Sequence, residues 1–276
     1  MFLWWLSPKK FSIKNKSAMM DRKLFKNFLD ALQVTWGEVR KRDYDIVILP
    51  WGSIEPHNYH LPYLTDCYLS YGIALDSANT AFEKAGVNSM VLPPVYLGSQ
   101  NPGQWNLPFC IHTRIETQKA VLSDIVDSLY LQNFRKLIII NGHGGNSFKA
   151  LIRDMARTYP DFCIVLVDWY DIVPKDDFFE ESLDEHAGEQ ETSVMLHYFP
   201  HLVKMEEAGN GSTKPIKIES LNKKTGWMPR NWSEVTEDTG IGNPKKSTAE
   251  KGERYAEEVV SRIVDLLIEL KDFKVK

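Results

Sequence analysis

The sequence has 276 residues and a formal net charge of −4, with 43% hydrophobic and 25% charged residues. That length suits one large α/β domain or two small ones, with a substantial core. The slightly acidic balance and scattered lysines exclude the concentrated basic face of a nucleic-acid binder, and no apolar run approaches the length of a membrane span.

In chain order, the opening "MFLWWLSPKKFSIKNKSAMMDRK" has a short apolar stretch, Phe2–Leu6, placed before its basic residues. A secretory signal has the reverse order and a longer apolar core. Residues 1–22 therefore read as an extension outside the core, with Met19 or Met20 as an alternative start and Trp4–Trp5 as a contact for another subunit. Residues 23–276 read as a single domain.

The first strand is expected at Tyr44–Gly52, "YDIVILPWG". A dense polar stretch follows it, with Glu55, His57, His60 and Asp66 inside twelve positions. On an extended chain, Glu55 and His57 project to the same side. Thr65 is positioned to cap a helix running to about Lys84, with Gly86 as its stop.

The second strand is expected over Val87–Gly98, leading into "GSQNPGQW". There Ser99 is a candidate substrate contact, and Trp105 a candidate aromatic wall. Thr113–Asn133 carries a helical apolar repeat at Ile115, Ala120, Val121, Ile125 and Leu129. A third strand, Lys136–Gly145, ends in "NGHGGN", where three glycines around His143 let the backbone turn sharply and approach a ligand. A helix is expected at Asn146–Thr158. The fourth strand, Phe162–Tyr170, brings Trp169 to its end as a second aromatic candidate.

The acidic run "DEHAGEQETSVMLHYF" offers His186 with Glu185, Glu189 and Glu191. If a helix already includes His186, Glu189 shares its face; a helix starting later frees Glu191. Residues 205–246 are polar and rich in Gly, Pro, Asn and Lys, a length uncommon for a loop without a task. A long helix over Thr248–Phe273 closes the chain.

Apolar strands without alternation, separated by helices, imply right-handed crossovers. The expected architecture is α/β, a three-layer α/β/α sandwich around a mainly parallel sheet. Ligands of such sheets bind beyond the strands' carboxyl ends, where each polar cluster falls. Imidazoles and carboxylates without thiolates suit Zn, Mn or Fe(II), and one aspartate can bridge two ions. The three cysteines, Cys67, Cys110 and Cys163, form no C-x-x-C pair, which suggests a reduced, cytoplasmic setting. His112, His197 and His201 read as ordinary surface or hydrogen-bonded residues.

Together "GSIEPHNYHLPYLTD", "NGHGGN", "HAGEQETS" and "GIGNPKKSTAEKG" resemble the creatininase (creatinine amidohydrolase) family, over about Asp45 to Ala256. The resemblance implies the α/β/α fold, two divalent metal ions and hydrolysis of a C–N bond in a cyclic amide or formamide by a metal-activated water. It implies that Glu55 and His143 bind one ion, His57 the other, and Asp66 both. His60 would support them from behind. His186 would handle protons, since an imidazole suits proton transfer near neutrality.

Three departures stand out. Asn58-Tyr59 replaces a usual Gly-Pro. Gly145 stands where creatininase has a glutamate, which leaves Glu191 to complete the second ion's ligands, with Glu189 as fallback. The segment from Gly98 to Thr113 also differs, which weighs against creatinine as substrate. The alternatives are a formamide deformylase, a peptide-maturation hydrolase, or a catalytically silent metal- or ligand-binding protein. The expected partners are a small-molecule amide and further copies of the chain in a homo-oligomer, with a hexamer among the options.

Overall fold

The computed structural model describes residues 26–275. The expected N-terminal extension, with Trp4, Trp5, Met19 and Met20, lies outside the described residues.

Among the described residues, four parallel strands form one sheet: β1 (Ile46–Trp51), β2 (Ser89–Val91), β3 (Lys136–Asn141) and β4 (Cys163–Asp168). Their spatial order is β2-β1-β3-β4. Five main helices accompany them: α1 (Thr65–Ala85), α2 (Ile115–Leu131), α3 (Phe148–Thr158), α4 (Glu189–Tyr198) and α5 (Ala249–Asp272).

Neighbouring positions along each strand serve opposite faces. Ile46, Ile48, Ile138, Ile140 and Val167 join one core with residues of α1, α4 and α5. Val47, Leu49, Trp51, Leu137 and Ile139 join a second core with residues of α2 and α3. Both faces are apolar because both are covered, which produces the unalternating strand sequences and the three layers.

The second strand is much shorter than the expected Val87–Gly98. Pro93 and Pro94 have no N–H to donate, so the ladder stops at Val91. Pro50 sits inside β1 opposite this break: the carbonyls of Ile48 and Pro50 accept from Leu92 and Val95, so the proline's missing N–H faces the side where no strand continues. Thr65 is not a cap. Leu64 holds that position, Thr65 is the first helical residue, and its hydroxyl donates to the Pro62 carbonyl at 2.6 Å. Gly86 ends α1 in the left-handed region at φ 62°. Thr248 caps α5 by accepting from the Lys251 amide.

The long polar segment is folded onto the body. Asn58, itself at φ 52°, accepts the Gly209 amide at 2.8 Å and donates its own amide to the Thr239 hydroxyl. Asp238 accepts from Gly211 and Gly240. His186 and Ile241 exchange two backbone hydrogen bonds, which tie the late "GIGN" motif to the end of the acidic run.

Candidate metal centre

Glycines bring the strand ends and α1 together. A Cβ at Gly52 would meet the Asp66–Cys67 backbone, and one at Gly142 would meet the Asp66 carbonyl. Without side chains there, the first turn of α1 rests directly on the ends of β1 and β3. Asp66 is thus brought between His57 from the loop after β1 and His143 from the loop after β3.

The resulting cluster is deeply buried. Glu55, His57 and Asp66 are at most 1% exposed, and His143, His186 and Glu191 are 6–8% exposed. Two donor sets overlap at Asp66: Glu55, Asp66 and His143, and separately His57, Asp66 and Glu191, each with its donor atoms within 4.8 Å of one another. Glu55, His57 and His186 meet the same limit. His186 is the outlying member, with Nδ1 4.0 Å from Glu55 Oε1.

Each imidazole is oriented by a backbone carbonyl on its far side. His57 Nδ1 donates to the Glu55 carbonyl at 3.0 Å, leaving Nε2 2.9 Å from Asp66 Oδ1. His143 Nε2 donates to the Ser99 carbonyl at 2.8 Å, leaving Nδ1 2.7 Å from Glu55 Oε1 and 3.3 Å from Asp66 Oδ2. His186 Nε2 donates to the Pro56 carbonyl at 2.9 Å. In the neutral rings the inward nitrogens therefore carry lone pairs, and these face carboxylate oxygens. Glu55 Oε1 and Asp66 Oδ2 are buried and lack a hydrogen-bond donor.

Acceptors facing acceptors at these distances need positive charge between them. The donor set, two to three carboxylates with two imidazoles and outer hydrogen bonds on the rings, fits divalent cations. Without cations, protons supply the charge. Burial works against protonating His57, but the Asp66 carboxylate, with Glu191 and Glu55, raises its pKa to about 9. Burial likewise opposes charge on His143, and Glu55 and Asp66 outweigh it, holding the ring well above the usual imidazole range.

The helix start sends Glu189 and Glu191 to different surroundings. Helix α4 begins at Glu189, after His186. Glu191 Oε2 lies 4.0 Å from His57 Nε2 and accepts the Ala187 amide at 2.6 Å. Glu189 turns away: it accepts the Glu180 and Glu181 amides and pairs with Lys251. Glu185 is also outside the cluster, pairing with Arg230 at 2.8 Å. Gly145 has a local cause. A Cβ there would stand well inside contact distance of the Ser99 carbonyl and His143 Nε2, so a side chain at 145 would break the bond that orients His143.

Two expected substrate contacts are corrected. Trp169 is fully buried and stacks edge-on against Tyr255 at 6.4 Å, so it is a core residue with no open face. The Ser99 hydroxyl is committed to the Thr113 carbonyl and the Gln118 amide, and the residue serves the site through its backbone carbonyl. Trp105 is 46% exposed and meets His112 edge-on. His60 donates or accepts at the Thr192 hydroxyl at 2.8 Å, and burial pushes its pKa down to about 4, so it is neutral behind the cluster.

Two residues that the sequence did not single out touch the site. Gln104 reaches Glu55, and Trp232 packs edge-on against the His186 ring at 5.5 Å. A glutamine and a tryptophan in loops carry no motif signal; only the folded loop reveals their reach.

Comparison with known proteins identifies the family. The Mycolicibacterium smegmatis protein named mycofactocin precursor peptide peptidase is 28% identical over 225 residues, covering 80% of this chain and 83% of that protein. Creatinine amidohydrolase of Pseudomonas putida is 23% identical over 259 residues, covering 86% and 95%. Among solved structures, a Bacteroides fragilis NCTC 9343 protein provisionally named a creatinine amidohydrolase has a TM-score of 0.89 and 52% identity over 91% of this chain and 99% of its own. A manganese form of creatininase shares the fold, with a TM-score of 0.70 at 23% identity over 87% and 98% of the two chains. The family model described as creatinine amidohydrolase matches residues 32–267. The chain therefore belongs to the creatininase family, whose members are hydrolases.

Proposed function

We propose that this protein is a metal-dependent amidohydrolase that cleaves a C–N bond with two divalent cations, Zn, Mn or Fe(II), in the buried cluster. The observation that carries this reading is the Asp66 carboxylate. Its two oxygens face two different imidazoles, His57 and His143, each already fixed by a carbonyl on its outer side. In this reading Glu55, Asp66 and His143 hold one ion, and His57, Asp66 and Glu191 the other.

Cations held there would polarise a substrate carbonyl and lower the pKa of an attacking water. The chain's own groups complete the reaction. The burial of Glu55, His57 and Asp66 keeps bulk water from screening the developing charge. His186, with Nε2 donating to the Pro56 carbonyl, presents Nδ1 towards the cluster. That nitrogen is placed to take the proton lost by the attacking water and pass it to the departing amide nitrogen, which leaves badly as an anion. Trp232 against its ring and the paired backbone bonds to Ile241 limit its swing.

The favoured substrate is a cyclic amide or formamide other than creatinine, acted on in the cytoplasm. A second reading, a peptide-maturation hydrolase, is supported by the likeness to the peptide peptidase and by an open cleft of about 1080 Å³ lined by Trp227, Met228 and Arg230 with Leu183, Asp184 and Glu185, the three residues immediately preceding His186 in the chain.

The test is an assay of metal-free protein reloaded with Mn, Zn or Fe(II), against cyclic amides, formamides and short peptides. The expected result is metal-dependent hydrolysis of one class. Peptide cleavage alone would select the second reading. Full activity with metals stripped, or none in any class with metals loaded, would contradict the proposal.

A further inference from the structure

Gln104 lies in the loop after β2, within a short helical turn, Gln104–Asn106, and is 1% exposed. Its side-chain oxygen accepts the Asn101 amide at 2.8 Å. This bond fixes which end of the amide faces inward, and Nε2 donates to Glu55 Oε2 at 2.5 Å. The two oxygens of Glu55 thereby receive different environments. Oε2 is occupied by an uncharged donor, while Oε1 remains without a donor, 2.7 Å from His143 Nδ1 and 4.0 Å from His186 Nδ1.

The loop that carries Gln104 is fastened from outside. The Trp232 amide donates to the Pro102 carbonyl at 2.7 Å. Gly103 adopts φ 86° with Asn231 and Ser233 packed so closely that a Cβ would collide with them. The same Trp232 lies against His186. One clasp, Pro102–Gly103 against Asn231–Trp232, thus sets both the donor to Glu55 and the wall behind His186.

We propose that Gln104 is a positioning residue that reserves Glu55 Oε1 for one cation by occupying Oε2, and that the Pro102–Trp232 clasp holds it in place. This inference rests on the two-ion reading above. A glutamine suits the task because it donates without adding charge to a cluster that must receive cations. Without it, the Glu55 carboxylate is free to rotate or to present both oxygens to one ion.

The experiment compares wild type with Gln104→Leu and Gln104→Glu, reading bound metal per chain during titration with a competing chelator, and the pH profile of turnover. Gln104→Leu keeps the size and removes the donor; Gln104→Glu sets a second carboxylate against Glu55. The expected result is that one of the two ions weakens by about 10–100-fold in Gln104→Leu while the other is retained. Thermal melting of the metal-free protein serves as the folding control. Gln104→Glu is expected to disturb the same ion and shift the pH profile. Two ions held as tightly in both variants as in wild type would overturn the role of Gln104. Equal loss of both ions would also overturn it, since it would mark general disruption. If wild type itself binds no ion, the two-ion reading fails instead, so the two failures are distinct.

Discussion

At the residue scale, the cluster is arranged by what stands behind each ring. His57, His143 and His186 come from three different loops, yet each directs one nitrogen to a backbone carbonyl and the other inward. Carbonyl acceptors fix the tautomer and the ring plane, which is what metal ligation or directed proton transfer requires. His186 differs from the other two in its distance, with Nδ1 4.0 Å from Glu55 Oε1. His186→Ala is therefore expected to retain both metals while turnover falls by roughly 10²–10⁴-fold, the usual contribution of a general acid. Metal analysis and rate measurement on one preparation check this. Loss of metal along with rate would make His186 a ligand.

At the scale of elements, the strand ends that form the site were legible and the loops that finish it were not. The apolar runs of β1, β3 and β4 are dictated by burial on two faces, so their positions follow from sequence alone. Their polar sequels, Glu55–Asp66 and "NGHGGN", then fall at one edge. The extent of β2 was misjudged because Val95–Gly98 looks like a strand, although Pro93–Pro94 had already removed the ladder donors. Trp169 was misplaced because an aromatic at a strand end reads equally as pocket wall or core. Gln104 was invisible because its reach depends on a loop held from 128 residues further on, by Trp232.

Helices α4 and α5 form the platform beneath Glu191. They meet tightly at Gly252, where a Cβ would stand inside contact distance of the Ser193 carbonyl. Alanine is the better helix former by about 1 kcal/mol at an exposed position. Here the steric conflict should dominate: Gly252→Ala is expected to destabilise by about 1–3 kcal/mol, as overpacking does. Denaturant melts settle the sign, and a stabilised variant would show that the two helices separate freely.

For the whole molecule, fold and site are two uses of the same close approach. Glycines at 52 and 142 let α1 rest on the sheet, and that contact delivers Asp66 to the centre of the cluster. The cost is a buried concentration of carboxylates and imidazoles, which must be offset by cations or by protons. In the metal-free chain the protons do this. His57, with its folded pKa raised to about 9, contributes stability that is complete below the unfolded imidazole pKa of about 6.5 and is lost as pH rises through 9. Metal must displace those protons, so metal affinity rises with pH over the same interval.

The most direct measurement is the number of divalent ions bound per chain in wild type, His57→Ala, His143→Ala and Asp66→Asn, by elemental analysis after reloading metal-free protein near pH 8. The account predicts two ions in wild type, one in each histidine variant, and none held tightly in Asp66→Asn, with the fold intact by circular dichroism. Two ions in Asp66→Asn, or a single ion in wild type lost equally in both histidine variants, would contradict a shared aspartate between two cations.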